Sequence, residues 1–146
     1  MTSGTSIFLI GPMGSGKSAV GRRLAREMGR EFIDSDAVIE ERSGVDIPFI
    51  FEREGEEGFR QRERKVIDEL TRLPGIVLAT GGGAAQHPEN RAHLHSRGFV
   101  VYLHATVDQQ LKRTRHGRER PMLKTGNPKE ILAHLMASRD PQFREI

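Results

Sequence analysis

The chain has 146 residues, 36% hydrophobic and 29% charged, which is enough for one compact domain. No apolar stretch approaches membrane-spanning length, and the N-terminus has neither the basic region nor the apolar core of a secretion signal. The net charge of +3 comes from basic residues interleaved with acids, and aromatic residues make up only 5%. There are no cysteines, which excludes disulfides and thiolate metal sites. We therefore expect a monomeric, cytoplasmic protein with neither a nucleic acid nor a membrane as partner.

The predicted elements alternate between strands and helices. Short apolar runs predict strands at 7–10, 31–34, 76–79 and 99–103. Helical spacing and capping residues predict helices after the first strand, over 36–42, from 46, over 56–73, from 106 to about 114 and from 127. Apolar strands separated by helices indicate an α/β fold, in which a short parallel sheet is covered by helices on both faces. No linker divides residues 1–146, so a single domain is expected.

Residues 11–18 read G-P-M-G-S-G-K-S and fit the phosphate-binding loop, G-x-x-x-x-G-K-[ST]. An apolar run precedes the motif and a helical pattern follows it, which is the context that this loop requires. The glycines let successive N–H groups turn toward a phosphate, Lys17 can reach the β- and γ-phosphates, and the Ser18 hydroxyl can bind Mg²⁺. The alternative is a glycine-rich turn with a chance lysine. The motif and its context favour binding of a nucleoside triphosphate.

Two further strands end in residues that suit phosphate chemistry. Asp34, Ser35 and Asp36 follow the second strand, and three consecutive glycines, 81–83, follow the third. Ligands of such sheets bind at the carboxyl ends of the strands. A carboxylate pair beside an ATP site can hold Mg²⁺ through water and accept a proton from an attacking hydroxyl. The alternatives are helix capping for the two acids and a plain turn for the glycines.

Six motifs, in order along almost the whole chain, resemble those of the shikimate kinases, which have the nucleoside monophosphate kinase-like P-loop fold. They are the loop at 11–18, the aromatic-x-D-[ST]-D element at 32–36, the substrate signature at 50–63, Thr80–Gly83, Arg120–Leu123, and Arg139-x-Pro141-x-Phe143. The resemblance implies a three-layer αβα P-loop kinase that transfers the γ-phosphate of ATP to the 3-hydroxyl of shikimate, in aromatic amino acid biosynthesis. It also implies a substrate-binding region at about 34–63 and a mobile lid at about 115–127.

The same resemblance implies roles for individual residues. The catalytic residues would be Lys17, Asp36 and Arg120. The residues at the nucleotide would be Gly14, Ser15, Gly16, Lys17, Ser18, Ala19, Arg113 and Arg120. Ser18 and Asp34 would hold Mg²⁺. The residues at shikimate would be Asp36, Phe51, Phe59, Arg60, Gly82, Gly83 and Arg139, with Glu63 orienting Arg60.

The chain departs from the family pattern at three places. Ala19 stands where many members have a second hydroxyl, which removes one α-phosphate contact, and Met122 replaces a leucine of the lid motif. The sequence stops at Ile146, where the family continues with one more strand and a closing helix. That strand would flank residues 99–103. Either the chain is truncated or the strand lies in a tail beyond the sequence given, and we expect the tail.

Three other functions are compatible with parts of the sequence. A kinase of another polyol acid, such as gluconate, could share the fold, but the second arginine, Arg139, favours a ring carboxylate. A non-catalytic nucleotide-binding relative would not need Lys17, Asp36 and Arg120 together. A nucleic-acid-dependent ATPase would need a water-activating acid where the glycine triplet stands. The six histidines show no ligand spacing, so we assign them no transition metal.

Overall fold

The computed structural model describes residues 4–106, 108–109, 139–141 and 144 of the chain. In this part, four strands form one sheet in the order β2-β3-β1-β4. The strands are β1 (Ser6–Ile10), β2 (Phe32–Asp34), β3 (Val77–Ala79) and β4 (Gly98–Tyr102). Every pairing between them is parallel. The short parallel sheet expected from the apolar runs is confirmed.

Helices cover both faces of the sheet. They are α1 (Lys17–Met28), α2 (Ser35–Ser43), α3 (Ile47–Leu70) and α4 (Pro88–Arg97), with a 3₁₀ turn at Ala84–Gln86. Alternate strand residues point to opposite faces. Phe8 and Ile10 pack with residues of α2, α3 and α4, whereas Leu9 packs with Ala25 of α1. The result is a three-layer αβα arrangement, as expected, with its core on both sides of the central strand β1. In the described part of the chain, no helix combines the length and the apolar character needed to cross a membrane.

The helix boundaries follow local capping chemistry. Gly44 ends α2 in the left-handed conformation, with φ 76°, as its position after the helical pattern predicts. The carboxylate of Asp46 accepts a hydrogen bond from the Phe49 N–H at 3.0 Å and begins α3. Thr106 and Gln109 form the predicted capping box, with reciprocal hydrogen bonds of 2.9 and 3.1 Å.

Helix α3 is kinked at Gly55. This glycine has φ 74° and ψ −179°, which is not helical, so the element consists of two helical segments that meet there. The sequence predicts these segments separately, one beginning at Asp46 and one at Glu56. The second segment ends at Leu70 rather than at the predicted Leu73, because Thr71 caps it. The kink lies between Phe51 and Phe59, so it sets the angle between the two parts of the expected substrate-binding region.

The sequence did not predict helix α4. It is rich in charged and polar residues, and only Leu94 and Asn90 are buried, so its apolar periodicity is weak. The His87 ring begins it by accepting the Glu89 N–H at 3.1 Å, and a histidine is an uncommon capping residue. The helix therefore depends on tertiary packing against β4 and α3 rather than on a strong local signal.

Several predictions fall on residues outside the described ranges. These are most of the helix expected from 106 to about 114, the lid at about 115–127, the helix expected from 127, and Arg113, Arg120 and Phe143.

Candidate active site

A cleft of about 230 Å³ opens where β1, β2 and β3 end. Its walls are the phosphate loop, the two aspartates after β2 and the start of the glycine triplet. The lining residues are Met13, Gly14, Gly16, Lys17, Ser18, Ala19, Asp34, Asp36, Thr80, Gly81 and Gly82. Three separate sequence motifs therefore meet in one cleft, at the edge of the sheet where ligands of α/β proteins bind.

The phosphate loop has the backbone conformation that its glycines allow. Gly14 and Gly16 have φ values of 77° and 92°, which side chains beyond Cα disfavour. Gly16 precedes the first residue of α1, so the positive end of that helix points into the loop. The Lys17 ammonium lies over the loop, where it donates to the carbonyls of Gly11 and Pro12 at 2.6 and 2.9 Å. The loop thus combines the positive end of α1 with the Lys17 cation, which suits an anionic ligand.

Ser18 and Asp34 are brought together beside this loop. The Ser18 hydroxyl donates to Oδ2 of Asp34 at 3.0 Å. The other oxygen of Asp34, Oδ1, accepts the N–H groups of Asp36 and Ala37 at 2.9 and 3.3 Å and caps α2. The capping role considered for Asp34 is therefore real, and it leaves Oδ2 directed at the cleft. Hydroxyl and carboxylate oxygens are ligands that Mg²⁺ accepts, usually in small number beside phosphate and water.

No cluster of three or more His, Cys, Asp or Glu that could hold a metal occurs among the described residues. A Mg²⁺ ion shared with a nucleotide does not require one, since the phosphates and waters supply most of its ligands. The Ser18 hydroxyl and the Asp34 carboxylate therefore fit Mg²⁺ bound together with ATP.

The glycine triplet leaves space for charged groups of other elements. A Cβ at Gly81 would lie 2.7 Å from Oδ1 of Asp36 and 3.0 Å from Oε2 of Glu63. A Cβ at Gly83 would lie 2.5 Å from the Arg60 guanidinium. Side chains at these positions would displace the groups that the family resemblance places at the substrate. The triplet is therefore more than a turn, because its bare backbone makes room for Asp36, Glu63 and Arg60.

Ser35 is a site residue that the sequence analysis did not single out. It is fully buried, and its hydroxyl accepts the Gly81 N–H at 3.2 Å. This bond joins the end of β2 to the glycine triplet and so holds Asp34 and Asp36 beside it. The signal available in the sequence was a small hydroxyl between two acids directly after a strand.

Arg60 forms an ion pair with a buried acid, Glu63. Its guanidinium donates to Oε1 of Glu63 at 2.9 Å and pairs with the more exposed Glu56 at 3.3 Å. Glu63 is 1% exposed, and burial raises the pKa of its carboxyl, an effect that the Arg60 guanidinium opposes. Among the described residues, Oε2 of Glu63 has no hydrogen-bond partner. Glu63 thus bonds directly to Arg60, and its role in orienting Arg60 for a substrate stays a prediction.

Arg139 lies in the same region, although 79 positions separate it from Arg60. It is 4% exposed, and burial together with the neighbouring Arg60 charge lowers its pKa to about 10. It donates to Oε1 of Gln86 at 3.4 Å, and its Nε has no partner among the described residues. Gln86 is a second residue that sequence analysis missed, and only its proximity to the glycine triplet could have suggested it. Arg139 thus holds a buried positive charge near Arg60, and its hydrogen-bond partner among the described residues, Gln86, is uncharged.

Two phenylalanines adjoin this pair. The rings of Phe51 and Phe59 are 5.0 Å apart between centroids, and the Arg60 guanidinium lies 5.1 Å from the Phe59 ring centre. Phe59 is buried in the core, whereas Phe51 is half-buried and packs against that core. Packing therefore accounts for Phe59 at least in part, while Phe51 keeps an accessible face.

The fold and the site together define a P-loop kinase. The sheet is parallel, the phosphate loop joins its central strand to α1, and the facing elements carry acids and arginines. The chain belongs to the shikimate kinase family, whose model matches residues 13–146. It is 53% identical to a shikimate kinase of Vibrio campbellii, over all of this chain and 85% of that protein. The solved structure of a shikimate kinase from Acinetobacter baumannii in complex with shikimate superposes with a TM-score of 0.94 and 52% identity. That comparison covers 97% of this chain and 79% of the other.

A more distant likeness bears on the gluconate alternative. A gluconokinase from Sinorhizobium meliloti matches with a TM-score of 0.50 and 18% identity, over 99% of both chains. At that identity the likeness shows a common fold alone. It adds nothing in favour of gluconate as substrate.

Proposed function

We propose that this protein transfers the γ-phosphate of ATP to the 3-hydroxyl of shikimate, with Mg²⁺. Family membership supports the reaction, and the related Acinetobacter baumannii structure is a complex with shikimate. The observation that carries the proposal in this chain is the buried Arg139 near the half-buried Arg60, whose guanidinium lies against the glycine triplet.

The arginine pair is suited to a carboxylate. Burial of Arg139, and then the nearby positive charge of Arg60, disfavour the charged form of Arg139 and lower its pKa to about 10. Glu63 neutralises Arg60 through one oxygen, and Arg139 has an uncharged partner in Gln86. A substrate carboxylate would give Arg139 a directly bonded anion, and planar guanidinium groups can hold it with paired hydrogen bonds.

The phosphate end of the cleft supplies the complementary functions. Lys17 would exchange its loop carbonyl partners for the β- and γ-phosphates, and the loop N–H groups would hold the remaining oxygens. Ser18 and Asp34 would hold Mg²⁺, with Asp34 acting through the metal's water shell. When bound, Mg²⁺ neutralises charge on the transferring phosphoryl group. We further propose that Arg113 stacks on adenine and that Arg120 in the lid neutralises charge on the phosphoryl group. Both residues lie outside the described ranges.

Asp36 would act between the two ends. It begins α2 on the wall of the cleft, close to Gly81, and would accept the proton of the attacking hydroxyl. A Cβ at Gly82 would lie 3.2 Å from the Met13 nitrogen, so the glycine triplet comes close to the phosphate loop. Gly82 and Gly83 would therefore offer backbone N–H groups near the point of transfer. Phe51 and Phe59 would pack against the less polar face of the shikimate ring.

One assay tests the reaction directly. ADP release is coupled to NADH oxidation, with ATP and Mg²⁺ and with shikimate, gluconate, a nucleoside monophosphate or no acceptor. We expect turnover with shikimate and background rates in the other three reactions. Faster turnover with gluconate would overturn the substrate, and acceptor-independent ADP release would indicate an ATPase. Nucleotide binding without turnover on any acceptor would favour the non-catalytic alternative.

A cytoplasmic location and a monomeric state remain predictions from composition. Cell fractionation and analytical ultracentrifugation would test them.

A further inference from the structure

A polar cluster lies at the carboxyl end of β4. The Tyr102 hydroxyl donates to Oδ1 of Asp140 at 2.5 Å. The other carboxylate oxygen of Asp140 accepts Nε of Arg144 at 2.7 Å. Thirty-eight positions separate Tyr102 from Asp140, so this bond is a tertiary contact between β4 and the segment that carries Arg139.

Aromatic and cationic contacts reinforce the cluster. The rings of Tyr102 and His104 are 4.1 Å apart between centroids, and the Arg144 guanidinium lies 5.7 Å from the Tyr102 ring centre. Nη2 of Arg144 is 3.1 Å from Nε2 of His104. Burial and the bond to Asp140 raise the pKa of Tyr102 to about 12, so its hydroxyl is a donor at neutral pH. Within the described residues, Asp140 and Arg144 are thus held against Tyr102 and His104 at the end of β4.

The same end of β4 also abuts the phosphate loop. Leu103, which follows Tyr102, donates its N–H to the Ile10 carbonyl at 2.8 Å, directly before the loop. A Cβ at Gly11 would collide with the Leu103 carbonyl oxygen, so the two backbones are in close contact. The end of β4 is therefore fixed to the phosphate loop on one side and to the Arg139 segment on the other.

We propose that Tyr102 is a positioning residue for substrate binding: its hydroxyl, through Asp140, fixes Arg139 relative to the phosphate loop. Arg139 would then meet a substrate carboxylate at a set distance from the phosphoryl group. Tyr102 itself does not touch the substrate in this arrangement. The inference rests on the proposed function, because it assigns Arg139 to the substrate carboxylate.

The test compares Tyr102→Phe and Asp140→Ala, singly and together, with the parent protein. Tyr102→Phe removes only the hydroxyl, and we expect the KM for shikimate and its calorimetric Kd to rise about 5–10-fold. The KM for ATP and kcat should stay within about twofold. Both substitutions break the bond between Tyr102 and Asp140, so their effects should not add. The Kd of the double variant for shikimate should therefore be no higher than the higher Kd of the two single variants.

Thr71→Val is the matched control. Its buried hydroxyl donates to the Ile67 carbonyl at 2.7 Å at the end of α3, away from the cleft. We expect a lower melting temperature with an unchanged KM for shikimate, which separates lost stability from lost positioning.

Two outcomes would overturn the inference while the proposed function stands. One is an unchanged KM and Kd for shikimate in both single variants of a protein that phosphorylates shikimate. The other is an equal loss of ATP and shikimate affinity, which would indicate a general structural role. If Tyr102→Phe does not fold, Asp140→Ala gives the same comparison. Failure of the parent protein to phosphorylate shikimate would instead refute the proposed function.

Discussion

The Ser18 hydroxyl donates to Oδ2 of Asp34 at 3.0 Å, while Oδ1 of the same carboxylate caps α2. The Asp34 side chain thus caps α2 with one oxygen and bonds to Ser18, beside the phosphate loop, with the other. This division allows the two functions to be separated by substitution, since asparagine keeps a capping oxygen but loses the charge.

Asp34→Asn should raise the Mg²⁺ concentration for half-maximal turnover by about tenfold or more, with little change in melting temperature. The reason is that the neutral amide still caps α2 but orders the water shell of Mg²⁺ less well. A Mg²⁺ titration of turnover and a thermal melt measure both effects. Asp46→Asn is the control, because Asp46 caps α3 in the same way and lies at the start of another helix. Equal Mg²⁺ dependence in the two variants would remove Asp34 from the metal site.

Asp36→Asn should lower kcat by about 10²–10⁴-fold while ATP still binds normally. The substitution preserves shape and removes the basicity needed to take a proton from the attacking hydroxyl. Steady-state kinetics and calorimetric ATP binding separate the two quantities. Glu41→Gln, at an exposed position of the same helix, should leave both unchanged. An Asp36→Asn variant with parental kcat and weakened ATP binding would assign this residue to the nucleotide or the metal instead.

Glu63→Gln should change how stability depends on pH. Burial raises the pKa of Glu63 above its ordinary 4.5, so between the two values the folded chain holds a proton that the unfolded chain has released. The contribution of Glu63 to the free energy of unfolding of the parent therefore falls as pH rises through this window, by at most about 1.4 kcal/mol per pH unit. Glutamine cannot titrate, so the stability of the variant relative to the parent should increase with pH.

Urea unfolding at several pH values from about 4 upward measures this difference. Glu57→Gln, exposed on the same helix, supplies the control and should give a difference that varies little with pH. A relative stability of Glu63→Gln that decreases as pH rises would show that the Arg60 pair outweighs burial, and would contradict the raised pKa.

Arg120→Ala tests the lid proposed at about 115–127. If this arginine neutralises the transferring phosphoryl group, its loss should lower kcat by about 10³-fold and weaken shikimate binding far less. Arg118→Ala is the control: Arg118 precedes the Arg120–Leu123 motif, so the sequence predicts a solvated surface charge there and no effect of its loss. Hydrogen exchange with and without nucleotide and shikimate should show added protection of the segment in the ternary complex. Equal protection in both states, with a nearly silent Arg120→Ala, would show that the segment is only a connector.

Local chemistry was sufficient for the phosphate loop and for much of the fold. The functional groups of residues 11–18 are consecutive, so their spacing alone defines the loop. Apolar runs identified all four described strands, and Asp46 and Gly44 identified helix ends through bonds that span a few residues. The ordered motifs also identified the family, which the comparisons confirm.

Only the tertiary structure decided which distant groups meet. It placed Arg139 beside Arg60, linked Ser35 to Gly81, and joined Tyr102 to Asp140. Helix α4 escaped prediction because its stability comes from packing rather than from a regular apolar pattern. The sequence by itself determined the loop chemistry and the family, since these reside in short ordered motifs. The pairing of charges around the substrate cleft depended on the fold, because contacts between groups tens of residues apart leave no local signal.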